Sequence, residues 1–128
     1  MNNQIKLCSM TKGEIYTEIC RVAESGSYVS YIRGTRCTNE QKFFCEISAS
    51  FQFPYYFGEN WAAMDECLCD LEWINPSKVF IVVEDFSQLF SDQTAIMERL
   101  QAKVIKYFEL MIHYWSENEI SVEVWLNN

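Results

Sequence analysis

The run Lys78-Val79-Phe80-Ile81-Val82-Val83-Glu84 constrains the fold more than any other segment. Continuous apolar and mostly β-branched, it has no polar side to turn toward water. Such a strand needs both faces covered and a neighbour on each edge. It is expected at the centre of an α/β sheet. Ile120-Ser121-Val122-Glu123-Val124-Trp125-Leu126 instead alternates, so Ile120, Val122, Val124 and Leu126 are predicted to point inward and Glu123 to face water. That pattern suits an edge strand. Tyr28-Val29-Ser30-Tyr31-Ile32-Arg33, ended by Gly34, gives a third strand.

The connections decide the sheet type. Met97, Leu100, Val104, Phe108, Met111 and Trp115 recur at steps of three and four, predicting a long amphipathic helix capped near Ser91 or Asp92 and running to Ser116. Two shorter helices, Asn39 to Phe51 and Asn60 to Glu72, are expected between the first and second strands, separated by Pro54 and Gly58. Connections of that length join parallel neighbours through right-handed crossovers. The expected fold is α/β, a small three-stranded parallel β-sheet packed with helices. Residues 1–26 are read as an N-terminal helical extension, with Ile15, Ile19 and Val22 covering an otherwise open sheet face.

The chain has 128 residues, 49% of them hydrophobic, which suits one compact domain over 1–128. Its net charge of -8 disfavours nucleic-acid backbones and anionic membranes and favours a basic protein partner. No run reaches the length of a membrane span, and Met1-Asn2-Asn3-Gln4-Ile5-Lys6 lacks a signal-peptide pattern, so a cytoplasmic location is expected. The six cysteines are expected to be reduced, since a chain this apolar does not need disulfides. Cys67-Leu68-Cys69 lacks zinc-knuckle spacing and His113 lies far from it, so neither metal nor cofactor is expected. With one histidine, no phosphate-binding glycine loop and no nucleophile motif, catalysis is not expected either.

The charge is not evenly spread. Between Lys42 and Lys78 there is no Lys or Arg, while Glu46, Glu59, Asp65, Glu66, Asp70 and Glu72 all fall there. With Asn60 as N-cap and residues spaced by about 100°, Trp61, Met64, Leu68 and Leu71 form the buried side of the helix. Ala62, Asp65, Glu66, Cys69 and Asp70 form the opposite side, with Trp73 beyond them. Carboxylates on a helix are usually just solvated, but here Tyr55, Tyr56 and Phe57 crowd the preceding loop, and aromatic loop residues commonly anchor interfaces.

The segment Phe53-Pro54-Tyr55-Tyr56-Phe57-Gly58-Glu59-Asn60-Trp61-Ala62-Ala63-Met64-Asp65-Glu66-Cys67-Leu68 resembles the signature of the barstar family, intracellular inhibitors of barnase-type ribonucleases. The order of elements agrees over roughly residues 27 to 127. The resemblance implies an inert protein that lays this loop and helix across a ribonuclease active site as a 1:1 complex with an extracellular or toxin ribonuclease. Helix carboxylates would stand in for the RNA phosphate.

By position, Tyr56 matches the family's aromatic contact, Gly58 its tight turn, Asn60 its cap and Glu66 its principal acid, commonly an Asp. With Trp61, Ala62, Asp65, Cys69 and Asp70 these make the candidate partner-binding set. Glu109 is a candidate for an acid that the family supplies from the later helix. Ala62 departs from the pattern, since another Asp is usual there. The alternative function is a barstar-like acidic module for a basic partner that is not a nuclease.

Overall fold

The computed structural model describes residues 4–128. Met1, Asn2 and Asn3, the start of the expected extension, lie outside the described residues. The elements run β1 (Gln4–Cys8), α1 (Lys12–Glu24), β2 (Tyr28–Arg33), α2 (Glu40–Phe51), α3 (Trp61–Leu68), β3 (Lys78–Glu84), α4 (Met97–Glu117) and β4 (Ser121–Asn127). All strands are parallel, in the order β1-β4-β3-β2. The expected three-stranded sheet therefore gains a fourth strand from the N-terminal extension. Its Gln-Ile-Lys-Leu-Cys sequence is largely solvent-facing and carries neither a clean alternation nor a continuous apolar run.

Because β1 pairs with β4, the Ile120 to Leu126 segment is an interior strand rather than an edge. Strand order then explains where the helices lie. From β2 to β3 to β4 the chain moves one position at a time toward β1, whereas from β1 to β2 it crosses the whole sheet in the opposite direction. Right-handed crossovers in opposite directions place their helices on opposite faces. α2, α3 and α4 accordingly pack on one face and α1 on the other.

The alternation of β3 divides along those two faces. Val79, Ile81 and Val83 join the large core under α2–α4, while Phe80 and Val82 meet Ile15 of α1 and Trp125 of β4. Ile19 and Val22 pack against this second cluster, which is the covering role expected of the extension. Glu123, on the same side of β4, is half-buried and accepts a 2.7 Å hydrogen bond from the Trp125 indole.

Local rules set most of the boundaries. Thr11 and Glu14 form a reciprocal capping box at α1, and Asn39 caps α2 by accepting from the Lys42 amide at 2.9 Å. α4, in contrast, begins at Met97 with no side-chain cap. Ser91 and Asp92 lie in turns instead, because the Phe90 and Asp92 amides donate to Cys37 and Thr38 carbonyls at 2.8 and 2.9 Å. Those bonds tie the segment to the exit of β2. Gly34 marks the same junction: a Cβ there would lie 2.3 Å from the Asp85 carbonyl oxygen and 2.4 Å from that of Glu84. Only glycine permits so close a backbone approach.

Candidate functional site

The loop before α3 is built on two aromatic anchors. α2 ends at Gln52 in a left-handed conformation, and Phe53 then stacks on Phe51 with ring centres 5.9 Å apart. Phe57 meets Phe53 edge-on at 4.8 Å and Phe44 at 6.2 Å, and its amide donates to the Pro54 carbonyl at 3.0 Å. This turn pushes the intervening residues outward. Tyr55 is 100% exposed and Tyr56 61% exposed, with their rings nearly perpendicular. The sequence alone shows four aromatics in the loop but not which pair anchors it.

Gly58 does not carry the left-handed residue of the turn; Glu59 does, with φ of 51°. The glycine serves a different purpose, leaving room for the Asn60 amide, whose Nδ2 would lie 3.1 Å from a Cβ at position 58. That same nitrogen donates to the Gly58 carbonyl at 3.1 Å, while Asn60 Oδ1 accepts from the Ala63 amide at 2.8 Å. Asn60 thus fastens the loop and caps the helix with one side chain. The Glu59 carboxylate accepts a hydrogen bond from Gln41 of α2.

α3 is shorter than the expected span to Glu72, ending at Leu68 with Cys69 as C-cap. The Cys69 amide still donates to the Asp65 carbonyl, but Leu71 turns left-handed with φ of 49° to bury its side chain. Asp70 therefore sits in the turn after the helix. Met64, Leu68 and Leu71 are fully buried as expected, and Ala62 and Glu66 are exposed. Trp73, expected beyond the outer side, turns inward: its indole donates to the Phe51 carbonyl at 2.9 Å and its ring meets Phe53 edge-on.

Trp61 is half-buried and serves as the hinge pin of α3. Its ring stacks on Phe43 at 5.6 Å and on Tyr107 of α4 at 5.7 Å, and Lys103 Nζ lies 4.9 Å from the ring centre. The indole donates to Glu40 Oε2. Lys103 and Glu40 are thus part of the site's support, a relation across distant segments that no local pattern reveals. Two residues beyond Tyr107, Glu109 is turned by about 200° and does not share the flank facing α3. Leu110 and Tyr114, 44% and 41% exposed, are the α4 residues that continue from Tyr107 along that flank.

Glu66 and Asp70 converge with Tyr56 on one small hollow of about 90 Å³, floored by Phe57, Ala63 and Cys67. Among the described residues neither carboxylate has a hydrogen-bond or ion-pair partner. Partial burial, followed by the charges of Asp70, Cys67 and Glu72, raises the Tyr56 phenol above its ordinary value. Asp65 is half-buried and accepts from the Cys69 thiol at 3.9 Å. Burial, then Asp65, pushes that thiol up to about 11, and burial with Asp70 and Glu66 also raises Cys67. All six cysteines are free.

The six acids between Lys42 and Lys78 divide into different roles. Glu46 is structural: Oε2 accepts from the Arg33 backbone amide at 3.0 Å and from Nε at 2.8 Å, and Oε1 from Nη2 at 3.1 Å. This bidentate pair joins the end of β2 to α2. Burial pushes the Glu46 carboxyl up, but the combined Arg33 bonds and charge, with Arg36, outweigh it and leave the carboxyl below its ordinary value. The outward acids are Glu59, Glu66, Asp70 and Glu72, with Asp65 half-covered.

A family model described as Barstar (barnase inhibitor) matches residues 28–127, from the first residue of β2 to the last of β4. The loop, α3 and α4 all lie inside that span, whereas β1 and α1 precede it. No curated protein matches the sequence.

Proposed function

Since the chain belongs to the barstar family, we propose that it inhibits a bacterial barnase-type ribonuclease by covering the enzyme's active site with the outer side of α3 and the loop before it. One observation carries this reading: Glu66 and Asp70, unpartnered among the described residues, flank the same hollow as the exposed Tyr56. A ribonuclease holds polyanionic RNA with cationic side chains. Carboxylates presented to those cations accept charge-assisted hydrogen bonds in place of phosphate oxygens.

The support beneath the acids favours tight binding. Asn60, Phe53 and Phe57 hold the loop, and Trp61 fixes α3 against α2 and α4, so little freedom remains to be lost on association. In this reading Glu66 is the principal phosphate mimic, Asp70 and Asp65 flank it, and Tyr56 packs on the partner. Gly58, Asn60 and Ala62 line the approach, and Cys69 backs Asp65. Raised thiols at Cys67 and Cys69 fit a binder better than a redox or nucleophilic enzyme.

Ala62 favours a second reading. Exposed in the first turn of α3, it leaves without a carboxylate the position where the family usually carries one. A face with that acid missing could serve a basic partner that is not a nuclease. The experiment is an inhibition assay against a panel of barnase-type ribonucleases, with size-exclusion analysis of each mixture. Stoichiometric loss of RNA cleavage with a 1:1 complex is expected for at least one enzyme. Basic proteins without nuclease activity are included in the size-exclusion arm, and stable complexes with those alone would replace the inhibitor by the adaptor.

A further inference from the structure

Resting on the inhibitor reading, we propose that the binding face continues past Tyr55 and Tyr56 into a second hollow, between α2 and the loop, which receives an arginine or lysine side chain of the same basic partner. This hollow encloses about 370 Å³. Phe57, Pro54 and Ala49 form its accessible apolar surface over the buried rings of Phe44 and Phe53, with Cys45 on its α2 side and Tyr55 and Glu59 toward the loop.

Continuity with the acidic hollow comes from Phe57, which lines both. The loop stands between the two hollows, with Tyr55 fully exposed and Tyr56 largely so on its crest. A partner pressed against Glu66 and Asp70 meets that crest and has the second hollow directly behind it.

Charge selects the occupant. Among the described residues Glu59 is the only charged one lining the hollow, and the lysine nearest in sequence, Lys42, lines a different depression with Arg36. The left-handed backbone of Glu59 and its bond from Gln41 hold the carboxylate at the rim. An arginine or lysine can lay its aliphatic stem along Phe57 and Pro54 while its cation reaches Glu59. A guanidinium also stacks on the aromatic faces. The occupant so defined is chemically continuous with the basic surface that Glu66 would recognise.

The first probe is N-acetyl-arginine methylamide, titrated into 15N-labelled protein. The amides of Cys45, Ser48, Phe57 and Glu59 should shift, and Glu59→Gln should weaken the response at least fivefold. Unmoved amides, or an equal response from Glu59→Gln, would overturn the proposal. The second probe is a ribonuclease that the inhibition panel shows to bind. Its binding should slow alkylation of Cys45 by iodoacetamide at least tenfold, and Cys45→Trp, which fills the hollow, should weaken the complex at least tenfold. If Glu66→Gln weakens that complex while Cys45 stays reactive and Cys45→Trp binds normally, the face ends at the loop and only the inhibitor reading survives. If no ribonuclease binds, the parent reading fails and this proposal with it.

Discussion

The Trp61 indole Nε1 donates to Glu40 Oε2 over 2.7 Å, joining the first residue of α3 to the first residue of α2. Glu40 Oε1 also accepts from Gln93 Nε2 at 3.0 Å, and the Glu40 amide donates back to Gln93 Oε1 at 2.8 Å. One carboxylate thus fixes the origin of the acidic helix relative to α2 and to the segment leading into α4. Glu66 lies on the helix that this joint anchors, although it makes no hydrogen bond to any of the joint's members.

Acid should loosen that joint. The bonds from Gln93 and then Trp61 hold the Glu40 carboxyl below its ordinary value of 4.5. A lowered folded-state value means stability that is present above 4.5 and disappears as pH falls through the folded-state value. Glu40→Gln should cost about 1.5–3 kcal/mol at neutral pH, the usual contribution of a hydrogen bond to a charged group. The variant should also lose less than the parent on acidification. Urea unfolding at pH 7, 5 and 3.5 measures both, and parallel losses in the two proteins would remove Glu40 from the acid response.

Thiol chemistry should follow burial. Cys37 is fully buried, and burial, then Glu46, pushes it up to about 12 despite the opposing charge of Arg33, while Cys69 rises to about 11. Since the thiolate is the reactive form, both should resist alkylation in the folded chain at pH 8, as should buried Cys67. Exposed Cys45 should react first. Peptide mapping after a short iodoacetamide pulse distinguishes them. The same shift makes folding less favourable as pH rises from 9.0 toward about 12, because the unfolded chain gives up the Cys37 proton first.

How far the sequence discloses this structure depends on whether a signal is local. The interior strand Lys78–Glu84, the helix Glu40–Phe51 with its Asn39 cap, and the buried trio Met64, Leu68 and Leu71 all follow from periodicity and capping. β1 does not: unlike the other edge strand, β2, it contains no buried residue and so leaves no pattern, and its pairing with β4 spans almost the whole chain. In the candidate site, the acidic run and the Asn60 cap are plain in the sequence. The inward turn of Phe57, the withdrawal of Glu46 into its pair with Arg33, and the Tyr107 and Lys103 contacts of Trp61 are tertiary. Pairings across distant segments are what assign one acid to support and another to the surface.

Glu66→Gln should separate binding from folding. The side chain is exposed and has no hydrogen-bond or ion-pair partner among the described residues, so the unfolding free energy should stay within about 0.5 kcal/mol of the parent. Affinity for a ribonuclease that the inhibition panel shows to bind should fall by about 1.5–3 kcal/mol, the usual range for a hydrogen bond to a charged group. Association should also slow as salt is raised, since exposed charges beyond about 8 Å are screened at 0.15 M. Stopped-flow rates across a salt series test the steering, and calorimetry of the variant tests the residue. Unchanged affinity would show that Glu66 is not the phosphate mimic.

Ala62→Asp offers the complementary gain. The first turn of α3 carries no acidic residue, and its exposed amide end is the positive end of the helix dipole. An aspartate there should gain about 0.3–1 kcal/mol from the dipole. Repulsion from Glu66 four residues on offsets about 0.2–0.5 kcal/mol of that, leaving a small net stabilisation of the isolated protein whatever partner it meets. It would also stand one helical turn before Glu66 on the same side, restoring the second carboxylate of the family pattern. A rise in Tm accompanied by tighter inhibition of barnase would show that the face retains the family geometry and lacks only this charge. A rise in Tm with no gain in inhibition would show a differently shaped target, because the helix would then have accepted the acid while the partner offered it no cation.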